Sequence, residues 1–189
     1  MHKRVHPVNR TGGGDASVAA LAPVTLDGLD RAILQLLQSD ASQTLGDMAR
    51  TLGISQGQCW RKVDRLRQTG VIQGVVAQLD RYRLGLSVEA FVQVAIAIND
   101  INTQKQFCDS MRAVPEIVEC YMISGEYNFL LRILVRDLSA YGRVIEQKIL
   151  SQPGIAKISS AISTSRCKYS TELPVTFRAV GACSGEAAE

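Results

Sequence analysis

Histidine is nearly absent from this 189-residue chain: the only two, His2 and His6, lie within its first six residues. General acid or base chemistry near neutral pH therefore has no imidazole to draw on in the rest of the chain. Cysteine occurs five times, at Cys59, Cys108, Cys120, Cys167 and Cys183, with no pair at metal-ligand or redox spacing. That pattern argues against a zinc module or a disulfide framework and reads as reduced thiols, so neither metal nor cofactor is expected. No apolar run approaches the roughly 20 residues that a bilayer-spanning helix needs. Lys3 and Arg4 precede the small residues Ala16 to Ala22, but Gly12 to Asp15 interrupt the approach and Pro23 follows, which is unlike a secretory signal. The expectation is a cytoplasmic protein with no membrane partner. A large excess of charge is also missing: the formal net charge is +3, so the whole-molecule field announces no polyanion, and only the distribution of charge can do so.

What is present begins after residue 24. Residues 1–24, rich in Gly and Ala, have no period able to bury a face and are expected to be a disordered tail. From Leu26, apolar residues at helical spacing (Leu29, Ile33, Leu36, Leu37) predict an amphipathic helix capped by Asp27. Thr44 caps a second helix with Asp47 three residues on, and Leu45, Met48, Ala49 and Leu52 form its apolar stripe. Gly53 stops that helix, and Ser55 caps a third that runs to about Thr69. A packing helix followed by two helices joined through a short Gly-containing turn is the helix-turn-helix arrangement.

The third helix carries the charge that the composition conceals. Cys59, Val63 and Leu66 define its buried face, and between residues 59 and 67 Arg61, Lys62, Arg65 and Arg67 stand against Asp64 alone. A concentrated cationic face suits a helix entering a phosphate-lined groove, because phosphate contacts dominate affinity for double-stranded DNA. Trp60, the only tryptophan, is expected to pack against the first helix, with DNA contact as the alternative.

Beyond Gly70, Val71, Ile72, Val75 and Val76 suggest a strand, and Asp80 to Gly85 a hinge. A second pattern follows: strand Phe91 to Ile98, helix Thr103 to Ala113, strands Ile117 to Ile123 and Asn128 to Val135, helix Leu138 to Leu150, strand Ile155 to Ile162. This βαββαβ order predicts an α+β chain: an N-terminal helix-turn-helix domain followed by a ferredoxin-like domain with two helices on one face of a four-stranded sheet. The other face, assigned Val92, Val94, Ile96, Leu131 and Ile133, would need a second copy of the chain to cover it. The expected boundaries are a tail at 1–24, the helix-turn-helix domain at 25–72, a strand and hinge at 73–86, the sensing and oligomerisation domain at 87–177, and a flexible tail at 178–189.

Several blocks resemble one family. They are Leu29-Asp30, the turn Leu52-Gly53-Ile54-Ser55, the run Cys59 to Leu66 ending at Gly70-Val71-Ile72, the block Val118 to Leu131, and Leu150 to Ile155. Together they resemble the Lrp/AsnC (feast/famine) transcriptional regulators over roughly residues 25 to 177. The resemblance implies dimers that assemble further, up to octamers, and a small amino acid effector bound near the Gly125 loop. Carried over by position, Ser55, Gln56, Gln58, Arg61, Lys62 and Arg65 would meet DNA. Ser124, Gly125, Glu126, Tyr127, Asn128 and Ser160 would border the effector site. Gly57 stands where the family commonly has Ser or Thr, Lys62 replaces a usual Arg, and Asn128 replaces a usual Asp whose charge would attract an ammonium group. Two other readings stand beside this one. A haem-precursor decarboxylase shares the two-domain fold, but its chemistry would be expected to use His or other proton donors in the C-terminal domain, and the only histidines, His2 and His6, lie in the tail. An architectural DNA-coating protein would need no effector at all.

Overall fold

The computed structural model describes residues 23–97 and 100–175. They divide into two compact units: residues up to Ala77 together with the segment from Ser170, and Gln78–Tyr169. The expected tails at 1–24 and 178–189 lie almost wholly outside the described residues.

The first unit is built from α1 (Gly28–Ser39), α2 (Leu45–Leu52) and α3 (Gln56–Gln68). Each helix starts on the residue whose side chain can accept from the first unpaired backbone N–H groups. At α1, Asp27 Oδ1 accepts from the Asp30 amide at 2.8 Å and Asp30 Oδ2 accepts from the Asp27 amide at 2.9 Å, a reciprocal capping box. Thr44 and Ser55 cap α2 and α3 through the amides of Asp47 and Gln58. Gly53, at φ 66°, takes the left-handed conformation that ends α2 and turns the chain into α3. Ile33, Leu34, Met48, Ala49, Cys59, Val63 and Leu66 form the core, with Leu36 and Leu37 only partly buried beside it.

One expectation for this region changes. Val71 to Val76 do not form a strand, and Val75 and Val76 are exposed. Extended chain becomes a strand only when a neighbour pairs its N–H and C=O groups, and no strand among the described residues lies beside it. Ser170 to Val175, at the end of the expected sensing domain, pack with the helical unit. The Leu173 amide donates to Gln38 Oε1 at 2.6 Å, Gln38 Nε2 donates back to the Leu173 carbonyl at 3.1 Å, and Val175 packs on the helical core. Two hydrogen bonds across so long a stretch of sequence leave no local pattern to read.

The second unit follows the expected order: β1 (Val88–Ile96), α4 (Ile101–Arg112), β2 (Ile117–Met122), β3 (Phe129–Val135), α5 (Leu138–Val144) and β4 (Ile155–Ile162). After α5 the chain widens into a π-type turn, Ile145–Ile149, with the Leu150 amide reaching back to the Ile145 carbonyl at 2.8 Å. The strands lie in the order β2-β3-β1-β4, all neighbours antiparallel. Asp100 caps α4 through the amides of Asn102 and Thr103, so the helix begins two residues before the expected Thr103. The expected end of the first strand, Ile98, lies outside the described residues.

The two faces of the sheet are the reverse of the expectation. Val92, Val94, Ile96, Leu131 and Ile133 are buried in the core shared with Phe107 and Met111 of α4 and Val144 and Ile149 beyond it. The other face carries Glu89, Phe91, Gln93, Leu130, Arg132 and Leu134. Strict alternation defines two sets of side chains but does not say which set the helices cover.

On that second face Glu89 is 3% exposed. Arg132 Nε donates to it at 2.7 Å, Arg166 at 3.0 Å, and Arg81 lies 3.2 Å away. Burial alone would push the Glu89 carboxyl up, but the hydrogen bonds from Arg132 and Arg166 and the nearby charges hold it below the usual carboxylate range. Removing this one acid strands up to three guanidinium groups, so Glu89→Ala should destabilise the unit by about 3 kcal/mol. Arg83→Ala, which breaks an exposed pair with Asp80, should change stability by less than about 0.5 kcal/mol. Urea midpoints at constant slope compare the two variants; equal, small effects would mean that the Glu89 network contributes no more than a surface pair.

Candidate nucleic-acid interface and ligand loop

On α3, Cys59, Val63 and Leu66 face inward, which turns Gln56, Gln58, Trp60, Arg61, Arg65 and Arg67 to solvent. Ser55 is exposed but its hydroxyl already caps the helix, accepting from the Gln58 amide at 3.2 Å. The expected DNA-contacting residues therefore share one exposed helix, with one exception. Lys62 is held against α1: it is ion-paired with Asp27 and lies 3.2 Å from Asp30, with its side chain only 22% exposed. Arg65 also pairs with Asp30, although 44% of its side chain remains exposed. Arg61 and Arg67 have no ion-pair partner among the described residues, so the free positive charge of α3 is narrower than the sequence count of four cations.

Asp30 is the residue that sequence reasoning undervalued. It is wholly buried, yet in the sequence it stood out only as part of the block Leu29-Asp30. The signal was available: Asp30, Ile33 and Leu34 fall at helical spacing on one stripe, and a carboxylate on an apolar stripe needs a cationic partner. Asp27 is affected as well. The hydrogen bond from Lys62, with the Asp30 backbone amide, pulls its carboxyl down to about 2, and the same contact raises Lys62.

The loop expected to border an effector, residues 123 to 128, joins β2 to β3. Gly125 sits at φ 136°, which a side-chain-bearing residue rarely adopts, so the loop turns tightly and leaves its backbone open to approach. Ser124, Gly125 and Glu126 are exposed, and Tyr127 and Asn128 are partly buried. Asn128 acts within the sheet: its Oδ1 accepts from the Ile96 amide at 2.8 Å, its own amide donates to the Val94 carbonyl, and its carbonyl accepts from Ile123. Its side-chain Oδ1 is thus turned to the end of β1.

The structure adds a residue that the sequence did not single out. Lys157 of β4 pairs with Glu126 at 2.5 Å, and its ammonium lies 5.2 Å from the centre of the Tyr127 ring. Both ends of this pair are more than half exposed. Ser160 is not brought to this group within one chain. It pairs in register with Val92 on the helix-covered face and accepts a hydrogen bond from the Tyr141 hydroxyl at 2.5 Å, whereas Lys157, paired with Ala95, points from the opposite face. Only the strand register separates these two residues, three apart in sequence.

A three-helix unit with an exposed cationic helix, joined to a βαββαβ unit with a glycine loop at its sheet end, defines a two-domain regulator fold. Residues 26–73 match the winged helix-turn-helix DNA-binding family, and residues 89–173 match the Lrp/AsnC ligand binding domain. The chain is 31% identical over 150 residues to the DNA-binding transcriptional activator DecR of Escherichia coli, covering 79% of this chain and 99% of that one. A crystal structure of an AsnC family transcriptional regulator from Agrobacterium tumefaciens superposes with a TM-score of 0.75 at 37% identity, over 79% of this chain and 97% of the other. A transcriptional regulator from Neisseria meningitidis in complex with L-methionine has a TM-score of 0.76 at 28% identity, over 80% and 98% of the two chains. The chain belongs to the Lrp/AsnC family of transcriptional regulators. Among the described residues no helix is long and apolar enough to cross a membrane.

The α1–α3 contact makes stability depend on pH in a stated window. A carboxyl lowered in the folded state adds stability that is fully present above its unfolded pKa of 3.8 and is lost as pH falls towards about 2. Asp27→Asn should lower stability at pH 6 and flatten its decline between pH 4 and 2 relative to the parent chain. Thermal unfolding followed by circular dichroism at pH 6, 4, 3 and 2 checks this; parallel profiles for the two proteins would show that the Lys62 contact contributes nothing.

Proposed function

We propose that this chain is a cytoplasmic, sequence-specific DNA-binding transcriptional regulator that places α3 in the major groove and responds to a small amino acid at the Gly125 loop. The observation that carries the reading is the exposed face of α3, where Arg61 stands free of any acid among the described residues. Double-stranded DNA is the partner this face suits, because counterion release rewards unpaired cations far more than cations already neutralised by an acid. Lys62 and Arg65 take a different part: Asp30 orients them and ties the recognition helix to α1. No residue is assigned a catalytic role.

The effector reading rests on the exposed pair Glu126–Lys157 beside Gly125. A zwitterionic amino acid carries one carboxylate and one ammonium group, so it can exchange with a solvent-exposed ion pair, its carboxylate meeting Lys157 and its ammonium meeting Glu126. The N. meningitidis relative bound to L-methionine supports amino acids as the ligand class. Homodimers, assembling further up to octamers, would bring two copies of α3 to a pseudo-palindromic site. Phe91, with the half-buried Leu130 and Leu134 on the sheet face away from the helices, offers apolar area for the second copy.

Arg61→Ala should weaken DNA binding and reduce the slope of log affinity against log salt by about one. Lys62→Ala should leave that slope nearly unchanged and lower stability instead. Fluorescence anisotropy on a labelled duplex across a salt series, with sedimentation for oligomeric state, tests this part; an Arg61→Ala protein with unaltered affinity and slope would overturn the groove assignment. For the effector, calorimetry against the twenty amino acids should find at least one ligand whose binding is lost in both Glu126→Gln and Lys157→Met. If none binds the parent chain and DNA affinity is indifferent to all twenty, an architectural DNA-coating protein is the better reading.

A further inference from the structure

Trp60 does not behave as the packing residue its size suggests. It is 49% exposed, although tryptophan is among the most buried residue types on average and can cover some 150–250 Å² of apolar surface. The core of the helical unit is closed by Cys59, Val63 and Leu66 from the same helix, none more than 3% exposed, and Trp60 is not among the residues packed against it. Among the described residues Trp60 has no aromatic or cation–π partner, and its Nε1–H donates to nothing. An apolar ring and an unused donor therefore stand together in water on the fifth residue of α3.

Its place on the helix narrows what it can meet. Consecutive residues are about 100° apart around the axis. Gly57, Arg61 and Gln68 lie opposite the buried stripe, Arg65 falls to one side of them, and Trp60 falls to the other. Side chains on a helix lean towards its N-terminus, which directs Trp60 towards the leading end of α3. A Cβ placed on Gly57 would meet nothing within 4 Å, so the surface there is open. When a recognition helix enters a groove N-terminus first, residues flanking its exposed face meet the groove wall.

Resting on the DNA-binding reading above, we propose that Trp60 seats α3 against one wall of the major groove, its ring on a deoxyribose and its Nε1–H donating to a phosphate oxygen. Trp60 thereby fixes the depth and rotation of α3, while Arg61 supplies the charge. An uncharged contact of this kind has its own signature. It adds affinity on every sequence and leaves the salt slope alone, because no counterion is released on its account.

Trp60 is the only tryptophan in the chain, so its fluorescence reports on this one position. The experiment uses the full chain with two duplexes of equal length, one enriched from a random library by the protein and one of scrambled sequence. Binding is followed independently through the anisotropy of a label on the DNA. On binding, Trp60 emission should change and iodide quenching should fall on both duplexes. Trp60→Phe, which keeps a ring but loses the donor, should weaken binding by about three- to tenfold, and Trp60→Ala by about tenfold or more. Both losses should be equal on the two duplexes at an unchanged salt slope, with melting temperatures near that of the parent chain. DNA binding with unaltered Trp60 emission and quenching, or with full affinity in Trp60→Ala, overturns the inference while leaving the DNA-binding reading intact. A loss confined to the enriched duplex overturns it in favour of base reading. No binding of either duplex by the parent chain overturns the reading on which the inference rests.

Discussion

The helical unit is organised around one carboxylate that has no access to water. Asp30 belongs to the capping box that starts α1 and at the same time receives Lys62 and Arg65 from α3. A buried acid is tolerated only where its charge is matched, and a matched buried acid constrains geometry because either partner leaving it is costly. Asp30 thus does for the angle between α1 and α3 what apolar packing alone would leave loose. The exposed face of α3 is defined by what remains once Lys62 is drawn down to Asp30 and Asp27. The ligand unit repeats the device on a larger scale, with Glu89 gathering Arg132 from β3, Arg166 from beyond β4 and Arg81 from ahead of β1.

Much of the fold was legible in the sequence because it depends on neighbours. Asp27, Thr44, Ser55 and Gly53 act within one turn of their own position, and a cap or a left-handed stop is specified by two or three residues. The βαββαβ order was legible for the same reason, since periods of 2 and 3.6 are local. Orientation of the sheet was not. The alternation of Val92, Val94 and Ile96 with Phe91, Gln93 and Ala95 is symmetrical between the faces until α4 and α5 choose one. The apolar run Val71 to Val76 misled in a related way: composition can favour extended chain, but only a partner strand completes it.

The candidate site divides along the same line. Arg61, Arg65, Gln56 and Gln58 were readable as an exposed helical face because Cys59, Val63 and Leu66 set its opposite side. That Lys62 is withdrawn depends on a contact with α1 more than 30 positions earlier, and charge counting treats every lysine as free. Lys157 went unnoticed because its relevance to Gly125 passes through the β1–β4 register. Ser160 was grouped with the loop from a family pattern, yet the parity of β4 turns it to Tyr141. Asn128 was weighed as a ligand contact, and within the chain its Oδ1 also fastens the end of β1.

The clasp between Gln38 and Leu173 gives the chain an unusual thread. The polypeptide leaves the helical unit near Ala77, builds the whole ligand unit, and returns near Ser170 to finish the helical core with Val175. In topological terms the ligand unit is an insertion within the helical one. Two covalent strands rather than one run between the bodies, and closing a loop of some ninety residues has an entropic cost that the returning segment must offset through Gln38 and the helical core. The returning segment ends on α1, the same helix whose Asp30 orients α3.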